Sequence, residues 1–261
     1  MKPSEMVQAV KDTGKEMLER GAKNRTGAAL SPKNAAAMEE AAKSGVPPAG
    51  DERDLMRLRL DEGKNAEPLG SVPPPVRPKG MASAAAHTVK GERVTELIDK
   101  LGARLAFERA GVRLYDALLT KMAGARELPP GVSRARAEEI RSEEAAHVLM
   151  VRDAIVKLGG DPTVITPGAD VVGMMSMGLP KVLTDPRTEI EQCLDAILVA
   201  ELADNDGWMV LIEIARLLGQ DDMVQDFRAA LEREEGHLKT VRTWVAAAAR
   251  KSAGFAEAAA E

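Results

Sequence analysis

Four stretches of the chain place an apolar residue every three or four positions, and a glutamate interrupts each of the four stripes. That repeat is the period of one face of an α-helix. The first stripe runs Leu97, Leu101, Leu105, Glu108, Val112, Tyr115, Leu119 and Met122, and it stops before the Pro-Gly break ELPPGVS. The second runs Ile140, Glu144, His147, Val151, Ala154 and Leu158, and it ends at LGGDP, where glycine can supply a left-handed cap and proline a stop. The third runs Ile190, Leu194, Ile197, Glu201, Asp204, Trp208, Ile212 and Ala215, up to Gly219. The fourth runs Phe227, Ala230, Glu234, His237, Val241, Trp244 and Ala248. The spacing predicts helices over 92–123, 133–158, 188–218 and 222–251.

The links between the first and second helices and between the third and fourth are short, as in antiparallel hairpins. The link between the second and third spans about thirty residues, long for a turn but suited to carrying the chain from one end of a bundle to the other. Its Met174, Met175 and Met177 read as cover for apolar surface. Only 2% of residues are aromatic, against 44% apolar overall, so the core must be built from aliphatic side chains and Met. The expected fold is therefore all-α, a four-helix bundle with a long crossover between helices 2 and 3.

Residues 1–90 differ from the rest. They are rich in Lys, Ala, Pro, Gly and Glu, include SVPPPVRPKG, and offer few large apolar groups to set against the entropy of ordering. They read as a weakly ordered tail or linker, with short helices at 4–20 and 32–44. The bundle is expected over 91–253, and 254–261 as a C-terminal tail.

A carboxylate in a low-dielectric interior is costly unless it is paired or metal-bound. Here Glu108, Glu144, Glu201 and Glu234 each occupy a position that should face the core, one per helix. Glu108 lies about 15 residues before the end of its helix and Glu144 about 11 after the start of the next, a height difference of roughly 6 Å at 1.5 Å per residue. The second hairpin gives a similar balance, so all four acids can meet near mid-bundle. Two of the chain's three histidines, His147 and His237, follow Glu144 and Glu234 by three residues and share their face. Four carboxylates and two neutral imidazoles carry a charge of −4, which two divalent cations would balance. The donor set suits iron or manganese better than structural zinc.

The order Glu, Glu-x-x-His, Glu, Glu-x-x-His on four helices resembles the ferritin-like superfamily of di-iron and di-manganese carboxylate proteins, over about residues 92–250. The resemblance implies Glu108, Glu144, His147, Glu201, Glu234 and His237 as metal ligands. Glu144 and Glu234 would bridge, and one histidine would serve each metal. It implies two metal ions as cofactors, iron first and manganese second. Tyr115, seven residues after Glu108, matches a tyrosine that ferritins and rubrerythrins hold near their metals, and is the candidate catalytic residue. The alternative is a core tyrosine with a satisfied hydroxyl. Asp204 stands where rubrerythrins carry a further glutamate, and reads as a hydrogen-bond acceptor for a ligating histidine or as a polar residue at the edge of the core.

Plainer readings apply elsewhere. Trp208 and Trp244 read as core, Cys193 as a small buried residue, and His87, Glu143 and Glu235 as solvated. A bundle held by buried salt bridges is the competing account of the acids. Of Arg104, Arg109 and Arg113, at most Arg104 faces them.

The implied activity is that of a dinuclear oxidoreductase acting on O2, H2O2 or Fe(II), of ferroxidase, peroxidase or catalase type. Oxygenation of an organic substrate, and a non-catalytic structural or metal-storage bundle, are the alternatives. The chain has one cysteine and so no rubredoxin-like CxxC module, and a peroxidase would need an external electron donor. A net charge of −5 gives no reason to expect nucleic acid or an anionic membrane as partner. No apolar run of signal-peptide or membrane-spanning length occurs, so a cytoplasmic location is expected. A homodimer is the expected assembly.

Overall fold

The computed structural model describes residues 32–45, 50–73 and 93–255, with isolated positions at 8, 11, 12, 15, 75, 78 and 81. The chain divides into two compact units, Met1–Ala66 and Glu67–Glu261. In the first, α1 (Pro32–Ser44) lies where a short helix was expected, and α2 (Glu52–Asn65) was not anticipated. The Asp51 side chain accepts from the N–H groups of Arg53 and Asp54, and Asp54 returns the bond to the Asp51 N–H, so α2 is capped locally. None of its residues is buried, which is why a search for apolar stripes passed over it. Most of the expected helix at 4–20, and His87, lie outside the described residues.

The second unit is the bundle: α3 (Val94–Gly124), α4 (Arg134–Lys157), α7 (Ile190–Leu217) and α8 (Asp221–Ser252). All four lie within two residues of the expected ends. The crossover is not a plain link: it folds into α5 (Pro167–Ser176) and α6 (Gly178–Thr184). Thr166 caps α5 by accepting from the Ala169 N–H, and Pro167 opens the helix at the position where its missing N–H costs nothing. The crossover is tied to α3, where Asp99 accepts from the Gly168 N–H at 2.8 Å and Thr166 Oγ1 donates to the Asp99 carbonyl. At the end of α4, Gly159 takes a φ of 85°, the left-handed cap that LGGDP suggests.

The helices pack as the hairpins α3–α4 and α7–α8, with α3 also against α5 and α7, and α8 against α4. The apolar interior falls into two clusters. One gathers Leu114, Leu118, Ile140, Leu194, Ile197, Val241 and Trp244. The other gathers Leu97, Leu101, Val151, Trp208, Leu211 and Phe227. On every one of the four helices the glutamate of the stripe lies between the residues given to one cluster and those given to the other. The acids therefore form a layer across mid-bundle, walled above and below by apolar side chains that each contribute about 1.5–3 kcal/mol when fully buried.

Two details differ from the sequence stripes. After Glu108 the buried face of α3 runs through Gly111, Leu114, Tyr115 and Leu118, whereas Val112 and Leu119 are only half-buried. Met174, Met175 and Met177 pack against neither apolar cluster. They are 67%, 77% and 50% exposed, because α5 turns its small residues, such as Ala169, toward α3 and its methionines outward.

Candidate metal centre

Glu108, Glu144, His147, Glu201, Glu234 and His237 are all buried, and the bundle brings all six together. They form two overlapping groups, Glu108–Glu144–His147–Glu234 and Glu144–Glu201–Glu234–His237, each with donor atoms within 4.8 Å of one another. Glu144 and Glu234 belong to both groups, and each of the other four residues to one.

The histidine rings turn Nδ1 toward the acids. His147 Nδ1 lies 2.6 Å from Glu234 Oε1 and 3.7 Å from Glu108 Oε2. His237 Nδ1 lies 3.0 Å from Glu234 Oε2, 3.4 Å from Glu144 Oε1 and 4.0 Å from Glu201 Oε2. The ring centroids are 6.3 Å apart. A glycine makes room for the layer: a Cβ on Gly111 would stand 2.3 Å from Glu144 Oε2.

Charges this close reshape one another. Burial pushes the Glu144 carboxyl well above its ordinary range, and the charges of Glu234, Glu108 and Glu201 push the same way. Burial and Glu234 raise Glu201 to about 7, against the opposing pull of His237. Burial alone would raise Glu234, but the histidines close beside it, His147 and His237, overcome that and hold it at about 2. Burial likewise lowers both histidines, yet the carboxylates around them win. His147 rises to about 9 beside Glu108 and Glu234, and His237 to about 9 beside Glu234 and Glu201.

The surroundings hold residues that the sequence reading misjudged. Glu143 is not a solvated flank: its Oε2 lies 2.7 Å from His237 Nε2 and 3.4 Å from Arg136 Nη1. Asp204 does not serve a histidine. It pairs with Arg104, whose Nη1 lies 3.0 Å from Asp204 Oδ1 and donates to the Asp204 carbonyl at 2.9 Å. Arg104 Nε lies 3.0 Å from Glu108 Oε1, out of line for a hydrogen bond, and the guanidinium stacks against Phe107 and Trp208. Gly207 leaves it that room, since a Cβ there would meet Nη1 at 2.3 Å. Asn205, one turn beyond Glu201, was passed over. Its amide donates to the carbonyls of Glu201 and Glu234 and so fastens α7 to α8 beside the cluster. A buried polar residue four positions after a stripe glutamate was the available signal.

Other expectations meet the structure directly. The Tyr115 hydroxyl is buried and donates to Glu201 Oε1, so the tyrosine is both core and site. Burial, with the Glu201 charge, lifts its hydroxyl well above the usual phenol range. Trp208, Trp244 and Cys193 are buried, Glu235 is exposed, and Arg109 and Arg113 point away from the layer. Trp208 also touches His147 edge-on at 5.4 Å.

The salt-bridge account of the acids covers only part of the layer. Arg104 lies between Asp204 and Glu108, one fixed cation for two acids, and the other three glutamates have only the two histidines beside them for ion pairing. Seven donor atoms are sealed from solvent without a hydrogen-bond partner among the described residues: both oxygens of Glu108, Oε2 of Glu144 and Glu201, Oε1 of Glu234, and both ring nitrogens of His147. Ion pairs offset part of the cost at Glu108 Oε1, beside Arg104, and at Glu234 Oε1, beside His147 Nδ1; a buried atom left without any partner costs about 1–3 kcal/mol, more where charged. Carboxylate oxygens and imidazole nitrogens converging at this spacing are the donor set of a hard or borderline divalent cation, and binding would satisfy the carboxylate oxygens and His147 Nδ1, though not its Nε2. The residues present fit a metal pair.

No protein-family model matches the chain, and no curated protein matches it. Among solved structures, the chain is similar to one described as "ferritin like, diiron-carboxylate proteins from Bacillus anthracis str. Ames". The two share 20% identity over 58% of this chain and 96% of that one, with a TM-score of 0.46.

Proposed function

We propose that Glu108, Glu144, His147, Glu201, Glu234 and His237 hold two divalent metal ions, iron in the first place and manganese in the second, and that the protein is an oxidoreductase acting on O2, H2O2 or Fe(II). The supporting observation is the layer itself: four buried glutamates and two inward-turned imidazoles within reach of one another, which would carry −4 with the carboxylates ionised and the rings neutral, the state that metal binding requires. Two adjacent redox-active ions supply two electrons to an O–O bond without releasing a radical.

The chain's own residues prepare that site. Glu144 and Glu234, common to both donor groups, would be shared between the two ions. Glu143 accepts from His237 Nε2–H, which fixes the ring with Nδ1 turned toward Glu234 and Glu144. Tyr115 donates its hydroxyl to Glu201 Oε1 and so orients that carboxylate. Arg104 positions Glu108 from the opposite side. The apolar clusters above and below keep bulk water from the layer.

Purified protein loaded anaerobically with Fe(II) and desalted should retain two ions per chain by elemental analysis. It should then oxidise further Fe(II) or consume H2O2 with no organic substrate present. Retention near zero would remove the basis of the proposal. Retention without turnover would leave a storage or structural bundle.

A further inference from the structure

A cavity of about 350 Å³ opens on the outer side of α3, where α5 and α7 lie against it. That volume is within the range of small-molecule sites. Its walls are apolar and include Val172 and Met175 from α5, Leu179 from α6, and Val199 and Val210 from α7. Met175, Val199 and Val210 are 77%, 55% and 47% exposed. Large apolar side chains left in water around a concavity mark a binding surface.

Two cations line it, Arg104 and Lys100. The Arg104 side chain is 4% exposed. Its Nε and Nη1 are turned to Glu108 and Asp204, while Nη2 makes no hydrogen bond among the described residues. Lys100 lies one helical turn earlier, on the same face. It is exposed and makes no ion pair among the described residues. Asp204 and Glu108 already offset the Arg104 charge, so Arg104 brings a hydrogen-bond donor and Lys100 brings the positive charge.

We propose that this cavity binds a small amphipathic carboxylate, its head shared between Arg104 Nη2 and the Lys100 ammonium and its aliphatic body lying along Val172, Val199 and Val210. Arginine and lysine both make charge-assisted bonds to a carboxylate, and these are stronger than bonds between neutral groups. The exposed apolar walls give the chain of such a molecule a place out of water. The site stands on this geometry and does not depend on the metal reading.

Calorimetric titration of the full chain with sodium octanoate tests it, with octanol as the uncharged control. One saturable site per chain is expected, with octanol about tenfold weaker for want of the charged contact. Lys100→Gln, on an exposed turn, should weaken octanoate about tenfold and leave octanol unchanged. Ala203→Phe, which fills the cavity from the exposed face of α7, should abolish both. Absence of saturable octanoate binding would overturn the proposal. So would binding that neither variant alters, or octanol binding as tightly as octanoate. Self-association that Ala203→Phe abolishes, with no uptake of octanoate, would assign the surface to a second copy of the chain instead. Because the readout is binding, it can succeed or fail whatever the metal content proves to be.

Discussion

The two hairpins of the bundle present the same ligand types in different surroundings. On the α7–α8 side, His237 has hydrogen-bond partners at both nitrogens, Glu234 and Glu143, and Glu201 receives the Tyr115 hydroxyl. On the α3–α4 side, His147 Nδ1 is ion-paired with Glu234 at 2.6 Å, and its Nε2 has no partner among the described residues. Its ring leans on Trp208, and Glu108 is flanked by Arg104. A repeated ligand pattern thus has one half stiffened by proton donors and acceptors and the other by a cation and aromatic rings. Ligand identity sets whether a metal binds. The partners behind the ligands set how tightly it binds and how its charge is tuned.

Substitutions that ignore the difference should have the largest effect. Glu144 and Glu234 serve both halves, so Glu144→Ala or Glu234→Ala should lower metal retention from two ions toward none and bring metal-dependent oxidation to background. Helicity by circular dichroism should stay near that of the parent. Loss of helicity with metal retained would instead mark the acids as structural.

Removing one histidine should separate the halves. His147→Ala and His237→Ala are each expected to leave one ion per chain by elemental analysis. The ion that His147→Ala leaves should be the tighter one, because its half keeps Glu143 and Tyr115.

Changes behind the ligands should be smaller and one-sided. Glu143→Gln should weaken one of the two binding steps about 10–100-fold in a competitive chelator titration. The same change combined with His237→Ala should add little, since Glu143 acts through that ring. Tyr115→Phe should slow turnover more than it lowers metal content, because it removes the hydrogen bond to Glu201 and leaves the donor set intact.

A gentler way to probe the comparison is pH. In the metal-free protein both histidines titrate at about 9, against an ordinary value near 6.5. Their ion pairs therefore stabilise the metal-free fold fully below about pH 6.5, and that contribution is lost as pH rises through about 9. Metal binding runs the other way, since Nδ1 must give up its proton to bind. Affinity should rise steadily from pH 6 to 9, and calorimetry in buffers of different ionisation enthalpy should show protons released on binding at pH 7. The proton from His237 has an acceptor network beyond the ring, and the proton from His147 has none.

The sequence made much of this legible because the fold and the site share one periodicity. A glutamate that replaces Leu or Ile in a helical stripe must face the core, so Glu108, Glu144, Glu201 and Glu234 could be placed in one layer before any coordinates. The same rule located Tyr115, Trp208 and Trp244. It failed where a side chain reaches sideways. Glu143 lies about 100° around the helix from Glu144, and only the approach of α8 brings His237 to it. Arg104 lies on the stripe face, but its pairing with Asp204 crosses from α3 to α7, a contact between elements that one-dimensional spacing does not contain. The crossover was read by length alone, and α5 and α6 within it are short helices set by Thr166, Pro167 and their contacts with Asp99. Its methionines face water because apolar composition does not say which side of a ten-residue helix is turned in.

The most direct test is diffraction from crystals of the iron-loaded chain, collected on both sides of the iron absorption edge. Two anomalous peaks are expected between the Leu114–Trp244 and Leu101–Phe227 clusters, both within bonding distance of Glu144 and Glu234, one beside His147 and one beside His237. A mid-bundle layer with no anomalous signal, its glutamates held only by Arg104 and protonated histidines, would contradict the reading.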